Sequence, residues 1–507
     1  MTARTAVTVA EQPGPSAPRP YEFPPVAEHR LPNGLRILEV DMPGRPLVSA
    51  SLLMLNGAVD EPADAGGATV LAARALSEGT ERYDAIQLTE ASERLGASIH
   101  AEAGWDALTA GVDVPRDRLE GALELLAEMV LHPTFPEREV DRLRDERLND
   151  LLQARADPRR RADEAFVETI YASNAPYHRP AGGTRETVAG LGPIQLRRAY
   201  ERGLDPARAT FVIGGELAGL DVRTTVERLF GDWTAFPAAA DRGAIADTQA
   251  RDERLVRVIH RPGAVQSEIR IGHRGLPRRI PDFHAVSVMS AILGGLFNSR
   301  LNMNLREEKG YTYGAGAGFD LRRGAGPFAA RAAVNTEVTV PAITESLKEL
   351  ARMRDEDVTD AELRGARDFL VGVFPLRFET AGAVVGALAG LVVHDLGIEE
   401  LIGYRASIEG VSSANVTAAA RAHLLLDAAA IVVVGDADQF GEALEAAGIG
   451  PVVIERDEGP VAAGPLPEEE VAAIDEEDEI GPTAGAEEPD VPGSADESAV
   501  TDAEEGR

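Results

Sequence analysis

Two landmarks of this chain recur at nearly one spacing, and that recurrence limits the possible folds more than any other feature. The strand-like Leu35-Arg36-Ile37 returns as Leu255-Val256-Arg257-Val258, 220 residues later, and Phe211-Val212-Ile213-Gly214 returns as Val432-Val433-Val434-Gly435, 221 residues later. A period of about 220 residues is far longer than a solenoid repeat, so it reads as one internal duplication giving two similar half-lobes. With 507 residues the chain is long enough for two sizeable cores.

Within each half, strand and helix signals alternate. Pro32-Asn33-Gly34 sits between Glu28-His29-Arg30 and the alternating Leu35 to Val40, the strongest short hairpin signal. A third strand is expected at Leu47 to Leu55, then a helix opened by Gly66-Gly67 and closed by Gly79. Alternation recurs at Ser98 to Ala103 and Ala107 to Val114; helical runs follow at Leu119 to Leu131, Glu137 to Arg155 and Asp163 to Tyr171. The pattern predicts an α+β fold of two similar half-lobes, each a largely antiparallel sheet with helices packed on one face. The expected division is a disordered arm over 1–24, a first lobe over 25–235, a linker over 236–252, a second lobe over 253–450 and an acidic disordered tail over 451–507.

The net charge is -33, of which residues 455–507 hold -17, with 19 acidic residues against two arginines. An acidic body with no basic stripe gives no footing to nucleic acid or to anionic lipid. The absence of Cys removes disulfides, thiolate nucleophiles and thiolate metal ligands together. The apolar run Ala381 to Val393 has 13 residues, too few for a membrane span of about 20, and reads as a buried, closely packed helix. With no apolar core of a signal peptide near the start, a cytoplasmic protein is expected.

The stretch from Gly67 to Thr80 resembles the zinc-motif helix of the pitrilysin/insulinase-type metallopeptidases, whose processing-peptidase branch carries H-x-x-E-H followed by Gly-Thr. Gly67, Leu76, Gly79 and Thr80 fit that framework, but the motif positions fall on Val70, Ala73 and Arg74. Positions i, i+3 and i+4 share one helix face, and here that face carries neither His nor Glu. Valine has no lone pair, and an Arg about 4 Å from a divalent cation is repelled by several kcal/mol even at an effective dielectric near 20. The resemblance places the third ligand near Asn149-Asp150, ahead of Asp157-Pro158; Asp150 has a ligating carboxylate, but one carboxylate is not a site. The nine His include no pair three to five apart, so no other helical zinc motif exists and no metal is expected in this chain.

The second half carries a nearly complete signature. Leu293-Gly294-Gly295-Leu296-Phe297-Asn298-Ser299-Arg300-Leu301 leads to Leu305-Arg306-Glu307-Glu308-Lys309-Gly310-Tyr311-Thr312-Tyr313. It resembles the family's Ser-Arg-Leu followed by Leu-Arg-Glu-x-(Lys/Arg)-Gly-x-x-Tyr, whose Arg and Tyr reach the active site, and by position these are Arg306 and Tyr313. Gly310 suits a left-handed cap, which would put Arg306 on the last helical turn and Tyr313 at the start of the next strand, side by side. A guanidinium can hold a peptide carbonyl or carboxylate, and a phenol can donate to an oxyanion. Gly314 to Gly318 is no phosphate loop, because no helix-opening Lys-Ser/Thr follows; a glycine-lined strand approached by a peptide backbone fits better.

The resemblance implies a zinc-free subunit of a two-component peptidase, with no catalytic residue of its own. Arg306 and Tyr313 would serve as substrate-binding groups, and zinc would sit in a partner that carries the intact motif. Substrate would be an unfolded peptide added as a strand at a sheet edge. A structural scaffold and a self-sufficient hydrolase with an unrecognised site remain the alternatives.

Overall fold

A computed structural model describes residues 20–236 and 245–456, and in it the duplication is visible strand by strand. The first half supplies β1 (Ala27–Arg30), β2 (Arg36–Asp41), β3 (Leu47–Met54), β4 (Ser98–Ala103), β5 (Leu108–Pro115) and β6 (Ala209–Gly215), ordered β1-β2-β6-β3-β5-β4. The second supplies β7 (Leu255–His260), β8 (Gln266–Arg274), β9 (Ala315–Phe319), β10 (Pro327–Asn335), β11 (Ala430–Gly435) and β12 (Val452–Arg456), ordered β12-β7-β11-β8-β10-β9. Five strands correspond one to one, and in each sheet the second and third strands pair in parallel, β2 with β6 and β7 with β11. Only the outermost strand differs: β1 is antiparallel to β2, whereas β12 is parallel to β7.

In the first half, α1 (Ala68–Ala75), α2 (Leu119–Leu131) and α3 (Glu137–Ala156) cover the inner sheet face, with Leu71, Leu123, Leu126 and Met129 packed on Val48, Leu52 and Val112. Asp157 ends α3 and also caps α4 (Pro158–Ile170), accepting from the Arg160 N–H at 2.8 Å with Pro158 in the first turn, where a missing N–H costs nothing. α4 then crosses to the other half. Ala162, Ala165, Phe166 and Ile170 bury against Ala430, Val432 and Val434 of β11, and Gly272 of β8 leaves room where an added Cβ would lie 2.9 Å from the Phe166 ring.

The second half adds α5 (Thr339–Asp355) to its own inner face and returns the exchange. α6 (Ala381–Val393) lays Val384, Val385 and Leu388 against Leu38, Val40 and Val212 of the first sheet. Its small residues permit close approach: a Cβ added to Gly214 would lie 3.3 Å from Val385, and one added to Gly382 would lie 3.4 Å from the Ser49 hydroxyl. Polar ties accompany the packing, since Arg270 donates to Asp163 at 2.6 Å and Arg257 to Glu168 at 3.1 Å. The described residues then end with α7 (Ala437–Ala446) and β12. Among the described residues no single helix is long and apolar enough to cross a membrane.

Three expected boundaries shift. Residues 20–24 are seated rather than free: Tyr21 stacks on Phe378 at 6.2 Å and Phe23 meets it edge-on at 5.1 Å, so two aromatics anchor a segment whose prolines suggested disorder. The second lobe runs past 450, because the β-branched Val452-Val453-Ile454 complete the sheet edge beside β7. In the expected linker, 245–252 is fixed by Asp247, which accepts from Arg274 at 3.0 Å and from the Ala325 N–H at 2.6 Å. Residues 1–19, 237–244 and 457–507, which hold most of the expected arm and tail and part of the expected linker, lie outside the described residues.

Two stability predictions follow from this packing. Leu388→Ala removes a buried anchor of α6 and should cost about 2–5 kcal/mol, with fluorescence and circular dichroism reporting one shared transition for both lobes in a urea titration. His273, buried in β8, donates from Nδ1 to the Arg274 carbonyl and accepts the Leu425 N–H at Nε2, and burial lowers its pKa to about 4. Its neutral form is the folded form, so stability is full above pH 6.5 and is lost as pH falls from 6.5 toward 4, by up to about 1.4 kcal/mol per unit. Unfolding curves at stepped pH should show that loss, and His273→Phe should flatten it.

Candidate functional site

The motif helix keeps its frame. Gly67 opens α1 at φ +92, a conformation that suits glycine, and an added Cβ there would sit 2.6 Å from the Gly182 carbonyl. The buried Glu61 carboxylate accepts from the N–H groups of Gly67 at 2.9 Å and Thr69 at 2.6 Å and pairs with Arg179 at 2.8 Å. Burial pushes its pKa up, opposed by Arg179 and the two N–H donors. An anion at a helix N-terminus satisfies orphan donors and the dipole together.

The chemistry of that helix is replaced. Ala73 is fully buried, Val70 is half-buried, and Arg74 reaches across to Glu146 of α3 at 2.9 Å. Glu146 is shared with Arg142, which also holds Glu78 at 2.6 Å and Glu139 at 2.9 Å. Burial pushes the Glu146 carboxyl up, but the hydrogen bonds from Arg142 and Arg74 outweigh it and hold it below the ordinary range. One turn further along α3, Asp150 accepts from Arg160 at 2.7 Å and from Arg147, and these guanidiniums hold it below the usual carboxylate range. Residues that would face a zinc ion are thus an ion-pair network carrying its own cations. They do not fit a divalent metal.

The second-half signature folds into two wide π-helical turns, Ala291–Gly295 and Met303–Glu308. The first presses on β9 so closely that a Cβ on Gly294 would lie 2.2 Å from the Ala317 nitrogen. Gly310 takes φ +65 and closes the second turn, its N–H bonding the Arg306 carbonyl at 3.1 Å, so the expected cap is present. Arg306 lies on that last turn with its guanidinium 4.4 Å from the centre of the Phe297 ring and 3.6 Å from Glu307. Tyr313 stands two residues ahead of β9 and is 94% exposed. No hydrogen bond or ring contact joins Arg306 to Tyr313 among the described residues.

Two asparagines, passed over in the sequence, hold this turn. Asn302 accepts the Ala315 N–H at 2.8 Å and donates to the Leu296 carbonyl at 3.2 Å, tying the strand after Tyr313 to the loop before Arg306. Asn304 donates to Glu345 at 2.8 Å and Glu349 at 2.7 Å on α5. Their place inside the signature was the only signal available.

A different group of titratable residues meets at the ends of β7 and β11, where His260, Asp436 and Asp438 approach one another from positions 176 and more apart in sequence. His260 is buried and its Nε2 lies 3.6 Å from Asp438. Its Nδ1, however, accepts the Ala437 N–H at 3.1 Å, so the neutral ring carries its proton on Nε2. That proton occupies the lone pair a metal would need. The cluster therefore caps α7 and offers no metal ligand at Nε2.

Residues 36–184 match the family model described as insulinase (peptidase family M16), and residues 193–370 match the one described as peptidase M16 inactive domain. An uncharacterised zinc protease of Mycobacterium leprae is 24% identical over 368 residues, covering 72% of this chain and 81% of the relative. The non-peptidase homolog YmxG of Helicobacter pylori is 24% identical over 323 residues, covering 62% and 72%. Among solved structures, the peptidase M16 inactive domain from Pseudomonas fluorescens superposes with a TM-score of 0.74 at 24% identity, covering 81% of this chain and 98% of that one. A protease from Helicobacter pylori gives 0.75 at 18%, covering 82% and 100%. These likenesses agree with the observed fold of two six-stranded sheets.

The ion-pair network sets an expectation for metal binding. The purified chain should carry no stoichiometric zinc by elemental analysis. Val70→His, Ala73→Glu and Arg74→His together should restore only weak binding, because Asp150 stays paired with two guanidiniums. Adding Arg147→Ala and Arg160→Ala should tighten it at least tenfold in calorimetry.

Proposed function

Because the chain belongs to the insulinase family of peptidases, peptidase family M16, we propose that it is the zinc-free subunit of a two-component metalloendopeptidase of the processing-peptidase type. The observation that carries this reading is an asymmetry between the halves. The α1 face is disabled by Val70, Ala73 and Arg74, while the second-half turn keeps Gly294, Arg306, Gly310 and Tyr313 in an ordered frame. The first region keeps its frame without the side chains for metal chemistry, whereas the second keeps both its frame and its Arg and Tyr.

In this reading zinc and the general base belong to a family partner with an intact motif. The present chain supplies groups that bind the peptide. Arg306 offers planar N–H donors to a carbonyl or carboxylate, and the exposed Tyr313 hydroxyl is free to donate to an oxygen that gains charge. The substrate is an unfolded peptide laid against a sheet edge as an added strand, where backbone hydrogen bonding is tolerant of sequence. Neither nucleic acid nor a membrane span enters, and the site of action is cytoplasmic.

A structural scaffold is the second reading, favoured by the lack of any hydrogen bond or ring contact between Arg306 and Tyr313 among the described residues. The two readings separate in one assay of peptide hydrolysis by the chain, by a zinc-motif homologue and by their mixture. The peptidase reading expects activity in the mixture alone, falling about 10²–10³-fold in Arg306→Ala and in Tyr313→Phe with complex formation unchanged on gel filtration. Unchanged activity in both variants would leave the scaffold.

A further inference from the structure

Arg306 needs a support that fixes where its guanidinium points, and the structure gives it an aromatic one. Phe297 sits on a backbone held from three sides: the Leu296 N–H bonds the Ala291 carbonyl at 3.1 Å, the Ser299 N–H bonds the Leu296 carbonyl at 3.0 Å, and Asn302 donates to that same carbonyl. Phe297 is nevertheless 67% exposed. The surface it shares with protein includes the Arg306 guanidinium at 4.4 Å.

The Arg306 guanidinium lies over the Phe297 ring, an attraction of charge to the ring face that leaves N–H donors available for an acceptor. Glu307 does not use them, since 3.6 Å exceeds hydrogen-bond length, and no Arg306 side-chain hydrogen bond occurs among the described residues. The patch therefore offers a fixed fork of donors beside uncovered apolar surface.

We infer that Phe297 is the positioning residue for Arg306, and that the pair takes a peptide segment carrying a bulky apolar side chain next to an acidic one. The carboxylate meets the guanidinium edge, and the apolar side chain covers the exposed part of Phe297. The inference rests on the peptide-binding reading of this chain. It replaces Tyr313 with Phe297 as the side chain that works with Arg306.

The test uses the full chain alone, with two fluorescein-labelled unfolded 12-residue peptides followed by anisotropy, one bearing Leu-Glu and its match bearing Leu-Arg. The Leu-Glu peptide should bind more tightly. Phe297→Leu, which keeps apolar bulk but loses the ring, should weaken it about 2–5-fold, and Phe297→Trp should restore it. In an Arg306→Ala background Phe297→Leu should change nothing further, whereas Tyr313→Phe should act independently of both. Additive effects of the Phe297 and Arg306 changes, a Trp variant as weak as Leu, or no preference for Leu-Glu would each overturn the inference. Lack of binding beside Arg306-dependent hydrolysis by the mixed subunits would sink the inference and leave the peptidase reading standing. Coupled binding by the chain without any hydrolysis in the mixture would do the reverse.

Discussion

Each sheet of this chain is completed by a helix from the opposite half. α4 leaves the first lobe to bury Phe166 and Ile170 on β11, and α6 leaves the second to bury Val384 and Leu388 on β2 and β6. Without the exchange, both outer sheet faces would present Val, Leu and Ile to water. Relative placement of the lobes follows from it, because two reciprocal helices fix position and rotation together. So does the spatial relation between the motif helix and the Arg306 turn, which lie in different halves.

The exchange explains why one half of a site can lose its chemistry while the frame persists. α1 is held at its start by Glu61 and Gly67 and along its length by core residues such as Leu71 and Ala72, none of which is a metal ligand. Substituting Val70, Ala73 and Arg74 leaves these supports intact. Arg74 then joins the charge already present on α3, where Arg142 gathers Glu78, Glu139 and Glu146. Exposed pairs of this kind contribute little stability each, but they commit the carboxylates to guanidiniums, whose positive charge repels a cation.

Much of this architecture was legible in the residues. Periodicity and turn chemistry located all of the first-half strands, since Asn33-Gly34 and the alternating runs are local signals, and the 220-residue recurrence predicted the matched sheets. The Gly310 cap followed from one residue type. What escaped was set by distant partners. Nothing near Tyr21 or Val452 announces that a ring on a later helix or the edge of β7 waits for it. Arg306 and Tyr313 looked like neighbours because a cap between them reverses the chain, whereas Phe297, nine residues earlier, is the ring that Arg306 meets. The His260 cluster likewise depends on two strands ending side by side.

The parallel pairing of strands far apart in sequence has a consequence for how the protein is made. β2 must wait for β6, some 170 residues later, and the outer face they form stays uncovered until α6 emerges near residue 393. At about 5–20 residues per second of synthesis, that apolar face is bare on the ribosome for on the order of ten seconds or more. Contacts of such sequence separation also slow the search for the native topology. The nascent chain therefore passes through a stage of exposed apolar surface whose length is written into the order of its strands.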